Sequence, residues 1–359
     1  MNIKSLTLHN FRNYENEKIN FASGINMLIG ANAQGKTNCA EAIFMLCTGY
    51  SPRATRDKTV IKNGETSAEI SCVAQSNYGE VEVKIIFNKK GKEVFLNGVP
   101  LAKIGELMGN FNSVFFNPQD LKLIQASPED RRRFLDLAIS QMNKRYFYSL
   151  QRYRRILEQR NALLKHPDRE VIFETLPLWD KELSKVSLDI ILERQKFMEK
   201  LTPYATEVHE YISGGEKLEL MLETPYYQGG GLEELERAFS ERVEKDLILG
   251  YTTAGPHRDD IKIKVDGEDV RIYGSQGQQR TSAISLKLAE LETLKNHFNE
   301  YPVLILDDAL SELDKNRRNR LITKLSGIQT IITTTEFLDE FKGLEGINVI
   351  SVKNGKIEE

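Results

Sequence analysis

The run Gly30-Ala31-Asn32-Ala33-Gln34-Gly35-Lys36-Thr37, followed by Asn38, is a GxxxxGKT phosphate loop. Its chemistry is that of a polyphosphate. Glycines let the backbone wrap phosphate oxygens, its N–H groups and a following helix N-terminus supply positive potential, and a lysine neutralises the β and γ oxygens. Lys36 takes that last role here, and Thr37 offers its hydroxyl to Mg²⁺. Far downstream the apolar run Pro302-Val303-Leu304-Ile305-Leu306 ends in two acids, Asp307 and Asp308. Asp307 suits Mg²⁺ or its water shell. Asp308 stands where a general base could orient and deprotonate an attacking water. Taken alone, an apolar strand ending in Asp-Asp also fits a plain strand-to-turn exit.

Between these two motifs lies Tyr273-Gly274-Ser275-Gln276-Gly277-Gln278-Gln279-Arg280, directly ahead of a helical pattern. By itself it also reads as a polar turn with a capped helix. In order with the phosphate loop before it and Asp307-Asp308 and Ser311-Glu312-Leu313-Asp314 after it, the run resembles the signature sequence of ABC-type ATPases, with the last four residues as the D-loop. That resemblance implies ATP sites completed across a dimer. The serine hydroxyl, the glycine amide and the signature-helix N-terminus of one copy (Ser275, Gln276, Gly277 and Gln278 here) meet the γ-phosphate on the other. Gln119, at the end of the run SVFFNPQ, matches the glutamine that senses metal and attacking water; a loop glutamine without a role fits as well. No histidine follows the run Gln329–Thr335, so Thr334 or Thr335 would have to contact the γ-phosphate. Arg12, in HNFRNY, resembles the N-terminal basic residue that SMC-like heads direct at the nucleotide, and it equally fits a solvated surface arginine.

The elements that must position these residues can be read from pattern. Ile25–Ile29 reads as the strand before the phosphate loop and Asn38 onward as the helix after it. LTLHNF, KINF, EISCVAQ, EVEVKIIF and SVFF read as further strands of a mixed sheet filling the first 120 or so residues. Near Ser127-Pro128-Glu129-Asp130 the character changes, because Ser127 can cap a helix, Pro128 suits its first position and the acids favour its positive end. One long helical stretch is expected from Glu129 to Lys165 and a second over Trp179–Leu201. β-character returns after Leu249 in DIKIKV, DVRIY, PVLILDD, QTIITTT and INVISV, interrupted by one helix from about Thr281 to Phe298. Residues 1–120 and 250–359 are therefore expected to form one ATPase lobe split in sequence, with 121–249 as an inserted, mostly helical lobe.

With 359 residues, of which 40 % are apolar, the chain can form real cores. It lacks an uncharged apolar run long enough for a membrane span, and its start lacks an apolar core before a cleavage site, which points to a cytoplasmic address. Cys39, Cys47 and Cys72 are too few and too irregular for a disulfide framework, and no histidine joins them at zinc-like spacing. A formal charge of −3 neither announces nor excludes a nucleic-acid partner.

NFRNY, GANAQGKTN, Pro118-Gln119-Asp120-Leu121 with SPEDRRRFLD after it, TAGPHRDD, YGSQGQQR and ILDDALSELD together resemble the RecF family of SMC-related ATPases, in family order across the whole chain. Gln119 and Ala126 depart from the family pattern, where an acidic residue and a glycine are common. The resemblance implies an α/β fold, an ABC-type ATPase head whose mixed sheet carries the phosphate loop and is split in sequence by the helical lobe. It implies ATP and Mg²⁺ as cofactors and an ATP-dependent homodimer that binds DNA at single-strand/double-strand junctions, with slow, DNA-stimulated hydrolysis as the switch. The implied partners are RecR directly and RecO and RecA indirectly, in recombinational repair. Residues 122–165 hold eleven Lys and Arg against four Asp and Glu. Arg131, Arg132, Arg133, Arg152, Arg154 and Arg155 are candidate phosphate contacts there, joined by Arg53, Arg56 and Lys58; a solvated helix face is the plain alternative for each. His257-Arg258-Asp259-Asp260 fits either a salt-bridge cluster or a ligand contact. A transporter ATPase would share the nucleotide motifs but has a much shorter stretch between loop and signature than the roughly 240 residues that separate Lys36 from Ser275 here. NKKG at Asn88 is not a guanine-recognition motif.

Overall fold

The computed structural model describes residues 1–53, 57–311, 313–342 and 346–358. The chain opens with β1 (Asn2–His9) and β2 (Asn16–Asn20), and β3 (Ile25–Ile29) then runs through the phosphate loop into α1 (Lys36–Thr48). Next come β4 (Ala68–Ser76), β5 (Gly79–Asn88), β6 (Gly91–Leu96), β7 (Val99–Pro100) and β8 (Ser113–Phe116). Helices α2 (Lys122–Gln125), α3 (Pro128–Met142), α4 (Lys144–Leu163) and α5 (Arg169–Ser213) follow, then β9 (Leu218–Glu223), α6 (Gly231–Ser240) and α7 (Val243–Leu249). The order closes with β10 (Asp260–Val265), β11 (Glu268–Asp269), α8 (Gln276–Phe298), β12 (Val303–Asp307), α9 (Lys315–Lys324), β13 (Thr330–Thr334), β14 (Asn348–Lys353) and β15 (Lys356–Glu358).

The strands form three sheets rather than the single mixed sheet expected. An antiparallel sheet has the order β2-β1-β4-β5-β6-β7, a central sheet the order β15-β14-β3-β13-β12-β8, and a small sheet the order β11-β10-β9. In the central sheet every neighbour pair is parallel except β14 with β15. Parallel strands are covered on both faces, and β12 and β13 are buried at every residue. The period of two divides their side chains between two cores. Met27, Leu304, Leu306 and Ile332 face a core shared with α3, α5 and α8. Leu28, Val303, Ile305 and Ile331 face a second core built from α1 and the inner face of the antiparallel sheet.

Other expectations are revised in detail. The long helix from Glu129 breaks at Asn143, whose side chain accepts from Arg145 N at 2.9 Å and Tyr146 N at 3.4 Å and so caps α4. Ser127 occupies the N-cap position of α3 with Pro128 after it, but its side chain makes no capping bond. DVRIY is not a strand: only Glu268–Asp269 pair with β10, and Val270–Tyr273 form the turn that leads into α8. The expected helical segment contains a strand, β9, which pairs antiparallel with β10 from Leu218–Val265 to Glu223–Asp260. α8 starts five residues earlier than expected, at Gln276.

Candidate nucleotide site

The phosphate loop is held from two sides. Gly355 N donates to Gln34 O at 2.8 Å and Asn354 N to Gln34 Oε1 at 2.6 Å, which ties the loop to the β14–β15 hairpin. On the other side Asn13 Nδ2 donates to Gln34 O at 2.8 Å, Asn38 Nδ2 to Asn13 Oδ1 at 2.8 Å and the Tyr14 hydroxyl to Gly35 O at 3.1 Å. A Cβ on Gly30 would stand 2.2 Å from Val352 O, so only glycine allows this approach of loop to hairpin. α1 has no acidic residue in its first turn, which leaves its positive end open to an anion. Lys36 Nζ is folded onto the loop's own carbonyls, at 2.5 Å from Gly30 O and 2.7 Å from Ala31 O. Burial lowers the Lys36 pKa, and the charges of Asp308 and Asp307 work against that shift.

The strands bring the two acids to this loop. Asp307, 4 % exposed at the end of β12, accepts on Oδ1 from Thr37 Oγ1 at 2.8 Å and from Thr333 Oγ1 at 2.7 Å. Burial raises its pKa, and the two hydroxyl bonds pull the other way. Asp308 is exposed and has φ 53°, a left-handed conformation uncommon for a residue with a side chain. Its amide is held by Thr333, at 3.0 Å from Oγ1 and 3.3 Å from the carbonyl oxygen. Asn32–Asn38, Arg53, Asp308 and Thr333–Thr335 line one open cleft. Thr37 and Asp307 offer adjacent hard oxygens suited to Mg²⁺, and Asp308 reaches the space above the loop. Thr333, which no motif marks, locks both acids to β13.

Ser275 is the N-cap of α8 in a reciprocal capping box with Gln278. Ser275 and Gln276 are exposed, and none of Ser275–Gln278 lines the cleft of their own phosphate loop. A Cβ on Gly277 would stand 2.5 Å from the guanidinium of Arg317 on α9, which packs closely over this turn. Asp314 caps α9, accepting from Asn316 N and Arg317 N at 3.0 Å each. Arg320 of the same helix donates to Ile212 O at 3.1 Å and Tyr211 O at 3.3 Å, closing the C-terminus of α5. Glu312 of the expected D-loop lies outside the described residues.

The family described as RecF/RecN/SMC N terminal domain matches residues 2–356. The DNA replication and repair protein RecF of Agathobacter rectalis is 44 % identical over 366 residues, covering 100 % of this chain and 99 % of that protein. The chain belongs to the RecF family. The RecF of Clostridium acetobutylicum is 41 % identical over 363 residues, with 100 % of both chains covered. A structure of the recombination mediator protein RecF with ATP, of the RecFOR pathway, superposes with a TM-score of 0.91 at 34 % identity, covering 99 % of this chain and 97 % of that one. An Smc head domain from Pyrococcus furiosus shares the fold, with a TM-score of 0.58 at 19 % identity and 99 % and 95 % of the chains covered. The expected α/β head of ABC and SMC type, split by a helical insert, is therefore the fold of this RecF-family chain.

Several expected site residues stand elsewhere than the loop cleft. Arg12, at φ 55°, is clamped by Glu41 of α1, with Nε 3.0 Å from Oε2 and Nη2 2.8 Å from Oε1. Arg53 shares that carboxylate at 2.5 Å and also bonds Asn38 Oδ1 at 2.8 Å. Burial pushes the Glu41 pKa up, but the bonds from Arg12, Ser51 and Arg53 outweigh it and hold the group below its ordinary value. Gln119 is exposed on a 3₁₀ turn, Pro118–Leu121, and borders a different cavity, shared with Asp120, Lys287 and Glu290. Thr334 and Thr335 do reach the loop cleft.

Among the basic candidates, Arg131 is corrected outright. It is 3 % exposed and forks onto Asp260 at 2.6 and 2.9 Å while also bonding Leu123 O and Ala126 O, so it has no face to offer a phosphate. Arg132 is half-buried and donates to Asp259 O at 2.8 Å. Arg133, Arg152, Arg154, Arg155 and Lys58 are exposed, with Arg152 paired to Glu182 and Arg154 near Asp136. Arg56 lies outside the described residues. The His257–Asp260 cluster ties the helices to β10. His257 takes the Tyr153 hydroxyl at 2.5 Å and bonds Thr252 O at 3.0 Å. Asp259 pairs with buried Arg194 at 2.7 Å, and Arg194 also holds Asp136 at 2.8 Å. Among the described residues no helix is long and apolar enough to cross a membrane.

Proposed function

We propose that this RecF-family chain is an ATP-driven DNA clamp of recombinational repair, and that ATP closes two copies on each other. One observation carries the reading. Asn32–Asn38, Asp308 and Thr333–Thr335 line one cleft, with Asp307 bonded to Thr37 and Thr333 at its edge, while the capped signature turn of the same chain, exposed at Ser275 and Gln276, lines no part of it. A second copy is the natural source of the missing donors. Lys36 and the loop amides Gly30–Thr37, with Asn38 at the helix head, bind the triphosphate. Thr37 and Asp307 would hold Mg²⁺, which would supply charge neutralisation to the phosphates. Asp308 orients and deprotonates the attacking water, and hydrolysis releases the clamp. Arg12 and Gln119 are assigned supporting roles at the nucleotide, reached after Arg12 loosens from Glu41 and the Gln119 turn shifts on closure.

The two lobes of this reading are residues 1–120 with 250–359, and 121–249. The β9–β10 pairing bridges them. DNA is engaged by phosphate contacts from Lys58, Arg133, Arg152, Arg154 and Arg155, with Arg53 and Arg132 at the margin and Arg56 a further candidate outside the described residues, which gives affinity without sequence preference. Single-strand/double-strand junctions are the target, and RecR is the direct partner through which RecO and RecA loading are reached. The RecF–ATP structure of the RecFOR pathway, so similar over its full length, supports both the nucleotide and the pathway.

Sedimentation of the full chain with and without ATP tests the clamp. The unchanged protein should dimerise only with ATP. Lys36→Ala should lose ATP binding and the dimer together, Ser275→Arg should bind ATP as a monomer, and Asp308→Asn should accumulate as an ATP-bound dimer. An ATP-dependent dimer of Ser275→Arg equal to that of the unchanged protein would overturn the shared site.

A further inference from the structure

Beneath the signature turn lies a polar contact that the nucleotide chemistry above leaves unused. α5 ends at Gly214 in the left-handed conformation, and the chain turns through Gly215 to bring Glu216 under the first turn of α8. Glu216 is anchored by its own amide, which donates to Ser213 Oγ at 3.0 Å. Its Oε1 accepts from Gln278 Nε2 at 3.2 Å. The carboxamide oxygen of Gln278 in turn accepts from Ser275 N at 2.9 Å, while Ser275 Oγ accepts from Gln278 N at 3.2 Å.

These bonds sort the donors at the head of the helix. Ser275 N–H and Gln278 N–H are satisfied within the chain. The hydroxyl hydrogen of Ser275 and the amides of Gln276 and Gly277 have no intrahelical partner. The arrangement needs the Gln278 carboxamide in one of its two orientations, oxygen toward Ser275 and nitrogen away. An ionised carboxylate only accepts, so Glu216 selects that orientation: the flipped amide would set oxygen against oxygen.

The other carboxylate oxygen faces His209 on α5. Oε2 is 3.5 Å from His209 Nε2, and both atoms are buried without a hydrogen-bond partner. Ser285 gives its hydroxyl hydrogen to Thr281 O at 2.7 Å. The same hydroxyl lies 3.3 Å from His209 Nδ1. Arg317 from α9 and Asp266 from the β10–β11 turn are the other charges acting on this imidazole. Burial first, then Arg317, holds it neutral, with a pKa lowered to about 4.

We propose that Glu216 is the positioning residue of the signature turn, fixing the Gln278 carboxamide so that the Ser275 hydroxyl and the Gln276 and Gly277 amides are presented to the γ-phosphate of a partner copy. The inference rests on the reading of Ser275–Gln278 as a signature shared across a dimer. Glu216 itself touches no nucleotide; it acts through Gln278.

The test uses the full chain, with ATP affinity read by titration on the monomer and dimer dissociation read by sedimentation at saturating ATP. Glu216→Ala should leave monomer ATP affinity within about two-fold and weaken the dimer about ten-fold or more, the effect of one charge-assisted hydrogen bond. Glu216→Gln should restore the dimer, because its amide oxygen takes the same Gln278 hydrogen. A side chain needed only for packing would not separate these two readouts. Should Glu216→Ala fail to fold, Gln278→Met removes this bond together with the capping bond to Ser275 N and should weaken the dimer at least as much. A full-strength dimer of Glu216→Ala, or no rescue by Glu216→Gln, overturns the inference while Ser275→Arg still blocks dimerisation. Dimerisation of Ser275→Arg itself would instead remove the signature reading beneath it.

Discussion

Glu41 is a carboxylate with no exposed surface that no motif marks, yet it fixes two arginines beside the phosphate loop. Arg12 comes from the loop after β1 and Arg53 from the segment after α1, and Ser51 Oγ adds a third donor at 2.5 Å. A charge removed from water in this way is tolerated only with several donors, and removing it strands the donors in turn. Glu41→Ala should lower unfolding stability by about 2 kcal/mol, the arginines' partial contact with water keeping the loss below that of a fully buried pair. The measurement is the urea midpoint at unchanged slope; no change would mean that Arg12 and Arg53 find other acceptors. Lys36, Thr37, Asp307 and Asp308 could be picked out as candidates because each belongs to a motif whose spacing suits a phosphate, and the fold brings them together. Glu41, Thr333 and Glu216 could not be, because their partners lie at sequence separations that only the fold defines.

Where helices α3, α4 and α5 meet β10, a buried polar cluster holds a histidine whose charge couples to folding. His257 accepts from Tyr153 on Nδ1 and donates to Thr252 O from Nε2, a pattern that only the neutral ring can make. Burial first, with Arg258 and Arg132 adding to it, lowers its pKa from 6.5 to about 4. The folded value lies below the unfolded one, so this contribution to stability is present above about pH 6.5 and is lost as pH falls through 4. The loss is worth about 3 kcal/mol over that window. Over the same window Asp259, which burial raises to about 6, acts the opposite way and His209 acts the same way, so the test is the difference: His257→Gln should reduce the fall of urea midpoint with acid between pH 7 and 4 by about one proton relative to the unchanged protein; an unchanged slope would remove His257 from the acid response. The elements themselves were read unevenly. β12 was evident because a fully buried parallel strand is an unbroken apolar run, whereas DVRIY failed because alternation alone does not bury a side chain: Ile272 and Tyr273 are 60 % and 70 % exposed. β9 was missed because LELMLE sits amid helical patterns and gains its partner, β10, from 37 residues further on, counting Glu223 to Asp260.

Across the whole molecule, a net charge of −3 conceals how differently the arginines are used. Arg131, Arg160 and Arg194 lie inside, each paired with aspartate, and the basic run in the sequence could not reveal which of its members turn inward. Arg155→Ala should weaken DNA binding alike on all sequences and reduce the slope of log affinity against log salt by about one. Arg131→Ala should leave that slope intact and instead lower unfolding stability by about 3 kcal/mol, because Asp260 loses its partner. Equal effects of the two substitutions on the salt slope would contradict this division.

The brace formed by α9 has a consequence for timing. Arg320 fastens one short helix to the end of α5 and Arg317 of that helix lies against Gly277 of the signature turn, and that helix begins just beyond Asp308. In the proposed two-fold assembly each such unit would hold the cleavage end of one triphosphate and the gripping end of the other. Loss of a γ-phosphate on either side would then pull at both grips through the same lever, so the pair would let go together rather than one after the other.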